Sequence, residues 1–300
     1  MNDKRIVQVV LLSIPLLHLV LFGLLPIYGV TLAFKDFSFA KGLFSPWSGL
    51  RNFQVLFRND TQTLRILART GAIGTVRALL LFLVPLAFVL VLDTLPWERF
   101  KTRVLLFLLF PQFISWVVAA GIFRSLFAFD GVVNMILIRS NLAVEPVVFL
   151  TRPDTFLFVL FLSMLWRDLG LYSFLFYAAL SEIDSSVFEA AEIDGAGRAS
   201  WNAVRFIKLP LVGQELVLIA GIILISFASG AFEVVFNLYN PALYPYVDIV
   251  DTYVYRTGIA AGRFSLAAAI ELIKNLINLI PALLFFVLIY RRMTQRRQLW

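Results

Sequence analysis

The 300-residue chain contains no cysteine and a single histidine, His18. No disulfide framework, reactive thiolate or His/Cys metal cluster can be assembled from that inventory. Charge is scarce too. Only 15% of the residues are charged, where a soluble domain carries about a quarter. Nowhere does a glycine-rich loop end in Gly-Lys-Ser or Gly-Lys-Thr, so the chain has no phosphate-cradling P-loop of its own. What remains is apolar: 60% hydrophobic residues, thirty of them Phe, and a mean hydropathy of +0.87. One water-soluble core cannot hold that much apolar bulk, so lipid must solvate much of the surface. The formal charge of +7 gathers at the ends of apolar runs. Anionic lipid headgroups account for it better than nucleic acid does.

A bilayer core takes about 20 mostly apolar residues per helix. Six runs qualify, at residues 6–34, 71–92, 104–127, 156–180, 216–236 and 266–290. They predict an all-α polytopic membrane protein with six transmembrane helices. The first run follows Lys4 and Arg5, as a signal peptide would. It is longer than a usual apolar signal region and no small-x-small cleavage site follows, so it reads as a retained helix. Six spans place both termini on one side. The terminal tails and the loops 93–103 and 181–213 carry twelve Lys/Arg over about 59 residues, against nine over about 93 in the opposite loops. The denser basic side is expected to be cytoplasmic. The outer loops include FSPWSGLRNF (44–53) and NLYNPALYPYVDIVDTYVYR (237–256). They suit a docked partner, or equally a cap folded onto the membrane surface.

The cytoplasmic loop 181–213 reads SEIDSSVFEAAEIDGAGRASWNAVRFIKLPLVG. Ser186 and Glu189 stand at capping-box spacing, which predicts a short helix over residues 187–194. Gly195 can take the left-handed stop after it. Ala190 and Ala191 leave a smooth surface that another protein's backbone can approach. Such a helix can be a docking knob, or it can simply lie on the membrane, with Glu189 serving only the cap.

EAAEIDG (189–195) followed by IKLP (207–210) resembles the EAA motif of binding-protein-dependent ABC transporter permeases of the maltose-transporter type. That pattern is Glu-Ala-Ala, three residues, Gly, nine residues, then Ile-x-Leu-Pro; eleven residues intervene here. YGVTLAFKDF, SPWSGLRNF, FISWVVAAGIF, FEVVFNLYNP and DTYVYRTGI are similar, in order, to the members that import oligo- and polysaccharides. The resemblance implies a type I importer fold. It places the first helix and outer loop in 1–66, the transmembrane core in 67–290 and a basic tail in 291–300. It also implies a bacterial cytoplasmic membrane and a second permease subunit. Two ABC ATPases would bind ATP and Mg, and an extracytoplasmic solute-binding protein would deliver an oligosaccharide. No cofactor is expected on this chain, nor any catalysis by it. Ser186, Glu189, Ala190, Ala191, Asp194 and Gly195 would form the ATPase-coupling helix.

Ionisable groups inside spans are costly unless paired or hydrated. Glu271, Lys274, Asn275 and Asn278 recur at i, i+3, i+4 and i+7, one stripe on one helical face. They suit sugar hydroxyls, although Glu271 and Lys274 can equally neutralise each other while the Asn residues bind helices together. Glu233, Asn237, Tyr239 and Asn240 are further pathway candidates at the outer end of the fifth run. Trp116 and Trp166 can stack on pyranose rings or simply pack. Arg167 and Asp168 are neighbours that cannot face the same way. Arg77 reads as a structural ion pair before a contact for acidic substrate, and His18 as a packing residue. A secondary transporter would want inverted repeats and midplane carboxylates. A membrane-embedded glycan-modifying enzyme would want an acid/base or metal constellation. The chain offers little for either.

Overall fold

The structure is a computed structural model that describes residues 3–58, 61–193, 195–197, 200–227 and 230–297. Among them the only β pairing is an isolated antiparallel bridge between Lys35 and Trp47. The rest is helix and turn.

Four helices are long and apolar enough to cross a bilayer: Leu11–Phe34, Gln62–Asp93, Pro153–Ser181 and Phe264–Val287. Two further pairs qualify only jointly. Glu98–Phe113 with Trp116–Leu126 bends by 100°, and Trp201–Leu211 with Gly213–Ile225 bends by 71°. The described residues therefore hold four to six candidate spans. The unbroken helices expected over 104–127 and 216–236 are not found. Pro111 has no amide to give a helix, and the 3-10 turn Phe110–Phe113 ends in an extended Ile114. Ser115 then starts a new helix, its hydroxyl accepting the Val118 amide at 3.4 Å. The second helix stops at Ile225, where Arg77 Nη1 donates to both Ser226 Oγ, at 3.1 Å, and Ser226 O, at 3.4 Å. A cation there suits the negative end of the helix dipole. Phe232–Leu238 follows as a separate helix.

The chain divides into two compact units. The first comprises Met1–Ala68 and Ile249–Ile277. Its core is Ala33, Leu56, Ile66, Val250, Ala269 and Ile270. The helix Asp3–His18 runs on through a π segment, Leu19–Leu24, and a 3-10 segment, Leu25–Phe34. Its apolar side chains from Leu11 to Leu25 remain exposed. The SPWSGLRNF segment folds back on the end of that helix. Asn52 Nδ2 donates to Ala33 O and Lys35 O, each at 2.9 Å, and Trp47 stacks on Phe34 at 5.8 Å.

The second unit comprises Arg69–Asp248 and Asn278–Trp300. Its core gathers Leu81, Val89, Tyr172, Phe176, Leu180, Ile219 and Ile223. Lipid tails are as apolar as these side chains, so close packing and polar contacts must hold the helices together. Gly170 shows how close. A Cβ there would lie 2.0 Å from Leu108 O, so Pro153–Ser181 crosses Glu98–Leu109 almost backbone to backbone. Buried Asn134 binds the loop beyond Trp116–Leu126. Its amide donates to Ala128 O and Val147 O, each at 3.0 Å, and its carbonyl accepts the Val147 amide at 2.8 Å.

Candidate functional site

The EAA residues form a short helix, Ser185–Ile193, that follows the long Pro153–Ser181 helix directly. Its N-cap differs from the expected one. Asp184, not Ser186, caps it: Asp184 Oδ1 accepts the Ser186 amide at 2.8 Å, and Asp184 O accepts the Val187 amide at 3.2 Å. A carboxylate two residues upstream reaches the second amide of the helix before Ser186 can act as a cap. Hydrogen bonds from the Ser186 amide, then its hydroxyl, hold the Asp184 carboxyl below its ordinary value. The C-terminus closes as the sequence predicts. Gly195 sits at φ +80°, where Cβ-bearing residues are strained. The Gly195 amide donates to Glu192 O at 3.1 Å and the Ala196 amide to Ala191 O at 2.8 Å. That pair of bonds is the Schellman motif. Asp194 lies outside the described residues.

Two faces follow from the helical period. Phe188 and Ala191 point inward and are buried, whereas Glu189, Ala190, Glu192 and Ile193 are exposed, Ile193 to 89%. Glu189 and Ala190 therefore stand on the side a partner can reach.

Beneath the helix lies a set of charges that hydropathy reading missed. Lys208, the variable residue of IKLP, is fully buried and pairs with Asp93 Oδ2 at 2.7 Å. Its ammonium lies 5.9 Å from the Phe188 ring centre. Lys101, also buried, contacts Asp93 Oδ1 at 3.7 Å and Glu98 Oε1 at 2.7 Å. Tyr177 donates its hydroxyl proton to Glu98 Oε2 at 2.7 Å. The one available signal was the cluster of charges in the short loop after the second apolar run.

The pathway candidates separate into groups. In the first unit, Lys274 is buried and paired with Asp251 at 2.5 Å and with Glu271 at 2.7 Å. Asn275 donates to Glu271 Oε1 at 3.2 Å and is itself exposed. Mutual neutralisation, one of the two expectations for this stripe, is thus realised, with Asp251 as a partner the sequence did not indicate. Burial raises the Asp251 carboxyl above its ordinary value, against the pull of Lys274. In the second unit, Asn278 Nδ2 donates to Ile225 O at 3.3 Å. Asn237 Nδ2 bonds Glu233 O at 2.7 Å, and Glu233 is exposed. Tyr239 is buried against Tyr244, ring centres 4.8 Å apart. Asn240 Nδ2 holds Leu150 O at 2.9 Å. Trp166 packs edge-on to Phe123 at 5.5 Å.

Trp116 is buried, with the Arg167 guanidinium 4.6 Å from its ring centre. Arg167 also donates from Nε to Ile114 O, at 3.2 Å, and from Nη2 to Gln112 O, at 3.4 Å. These are the carbonyls that the break in the span sets free, so Arg167 satisfies the bend. Arg167 and Asp168, expected to face apart, touch each other, and Asp168 lies between two cations, 3.7 Å from Arg77 and 3.5 Å from Arg167. The expected structural ion pair of Arg77 is present.

The chain is 33% identical over 280 residues to Protein LplB of Bacillus subtilis (strain 168), covering 92% of this chain and 86% of that relative. A second relative is the polygalacturonan/rhamnogalacturonan transport system permease protein YteP of the same organism. It is 29% identical over 272 residues, with 89% and 83% covered. In three dimensions the chain is similar to a bacterial ABC transporter that imports the acidic polysaccharide alginate. The TM-score is 0.84 at 28% identity, with 96% of this chain and 98% of that one covered. The chain belongs to the sugar-importing ABC transporter permeases. A bacterial alginate ABC transporter in complex with an alginate pentasaccharide-bound periplasmic protein matches with a TM-score of 0.81 at 27% identity, covering 94% of each chain. No family model matches the chain. As a type I permease it is a multi-pass membrane subunit and not an enzyme, and ATP hydrolysis belongs to partner ATPase subunits.

Proposed function

We propose that this permease is one of two similar but distinct membrane subunits of an importer in a bacterial cytoplasmic membrane. It has six spans and both termini in the cytoplasm, with residues 67–290 as the transport core. An extracytoplasmic binding protein delivers the cargo, and two ABC ATPases carry ATP and Mg, while this chain holds no cofactor. The cargo is a fragment of an acidic polysaccharide. Alginate and polygalacturonan, which the names of two relatives carry, are both polymers of uronic acids.

The observation that carries the reading is the exposed helix Ser185–Ile193, closed at both ends, with Glu189 and Ala190 on its accessible face. Docked on an ATPase, it passes nucleotide-driven closure to the spans and flips the pathway between inward- and outward-facing states. Binding-protein docking biases the same equilibrium.

The test is reconstitution with the sister permease, ATPase and binding protein in liposomes. Glu189→Lys is expected to lower uptake at least about tenfold, on the scale of an ordinary allosteric coupling energy, with the membrane subunits still assembled. Unchanged uptake removes the coupling role. Uronate oligomers should enter while neutral malto-oligomers do not, and the reverse pattern overturns the acidic cargo.

A further inference from the structure

The buried charges under the EAA helix are more than the fold requires. Replacing a buried ion pair with apolar residues of similar size is often neutral or stabilising, so such a pair is weak evidence for stability alone. Here three buried charges, Asp93, Lys101 and Lys208, meet the exposed carboxylate of Glu98, which brings the group to neutrality. They join four segments: the end of Thr61–Asp93, the start of Glu98–Leu109, the end of Pro153–Ser181 through Tyr177, and the Val204–Lys208 turn. Lys101 Nζ further donates to the Asp93 backbone carbonyl at 3.3 Å, which fixes the loop between the first two segments. The inner face of the EAA helix meets this cluster through Phe188, against the Lys208 ammonium.

We infer that Asp93, Lys101 and Lys208 are positioning residues that lock the EAA helix to the spans, so that a push on the helix moves the spans as one body. An ion pair at 2.7 Å resists separation, because its Coulomb attraction weakens with distance. The inference rests on the docking of that helix by an ATPase.

The absence of cysteine makes a clean test possible. Spin labels at Ser185→Cys and Phe107→Cys, both at exposed positions, report the helix against the span in the assembled importer. Between the nucleotide-free and ATP-trapped states their separation should change by no more than about 2 Å, the scale of a packed shift. A change near one helical turn, about 5 Å, overturns the inference. The double variant Asp93→Leu/Lys208→Met keeps the Lys101–Glu98 pair and the net charge. It should assemble and retain its ATPase, yet move about tenfold less sugar per ATP and broaden the label separation. Wild-type sugar per ATP in that variant reduces the cluster to a structural role and overturns the inference. If the double variant does not assemble, the label pair in the otherwise native complex decides alone. Loss of the ATPase from the unaltered importer instead refutes the docking reading.

Discussion

Asp168 is 6% exposed between Arg77 and Arg167, and the three groups together carry one net positive charge. At an effective dielectric constant of about 20, the contacts at 3.7 and 3.5 Å are each worth about 4–5 kcal/mol of Coulomb energy. Asp168→Leu removes both attractions and leaves two guanidinium groups facing each other. Even after the desolvation of the carboxylate is regained, a loss of about 3–5 kcal/mol is expected. Arg77→Met behaves differently. It removes one attraction and one repulsion, together with the hydrogen bonds to Ser226, and it leaves the neutral pair Arg167–Asp168. Its cost should be about 1–2 kcal/mol, within the usual range for single substitutions. Unfolding of the purified complex in mixed micelles of increasing denaturing detergent gives the two values side by side. Equal losses, or a larger loss for Arg77→Met, would show that charge balance does not govern this cluster.

Gly170→Ala should prevent assembly, because its Cβ would stand 2.0 Å from the Leu108 carbonyl oxygen, while Gly121→Ala, with no neighbour within 4 Å, should be tolerated; size-exclusion profiles of the two distinguish them. The Asp184 carboxyl has a folded pKa below its unfolded one. Its cap is therefore fully present above the ordinary aspartate value, about 3.9, and is lost only as pH falls through the lower folded value. Protection factors of the Ser186 and Val187 amides should match at pH 7 and pH 5 and fall at both in Asp184→Ala; a fall by pH 5 in the native chain contradicts this. Replacing Asn275 and Asn278 with Leu should weaken uptake more than assembly, and unchanged uptake kinetics would leave the stripe a structural role.

Local features were legible in the sequence, and distant pairings were not. Hydropathy alone identified the long helices, because a bilayer sets their length. The EAA helix was readable because its stop is encoded by adjacent residues, and Gly195 adopts the conformation expected of it. Its start was misassigned by two residues: serine at capping-box spacing competed with a carboxylate better placed to cap, Asp184. The interrupted spans were invisible because an apolar count does not track where carbonyls find partners. The side chain that serves Gln112 O comes from Arg167, 55 residues away. Lys274 was recognised as one of a stripe, but its contact with Asp251 depends on how two segments pack. Lys208 was read only as part of a motif, and its partner Asp93 ends a different helix.

The Asp184 cap and the turn at Gly195 come from the same few residues as the helix they enclose. The helix therefore holds its shape without a partner, and the ATPase docking proposed above need not order it first. On that proposal an ATPase leaves and returns without the permease refolding, so spent motors should be exchangeable on an intact membrane pore.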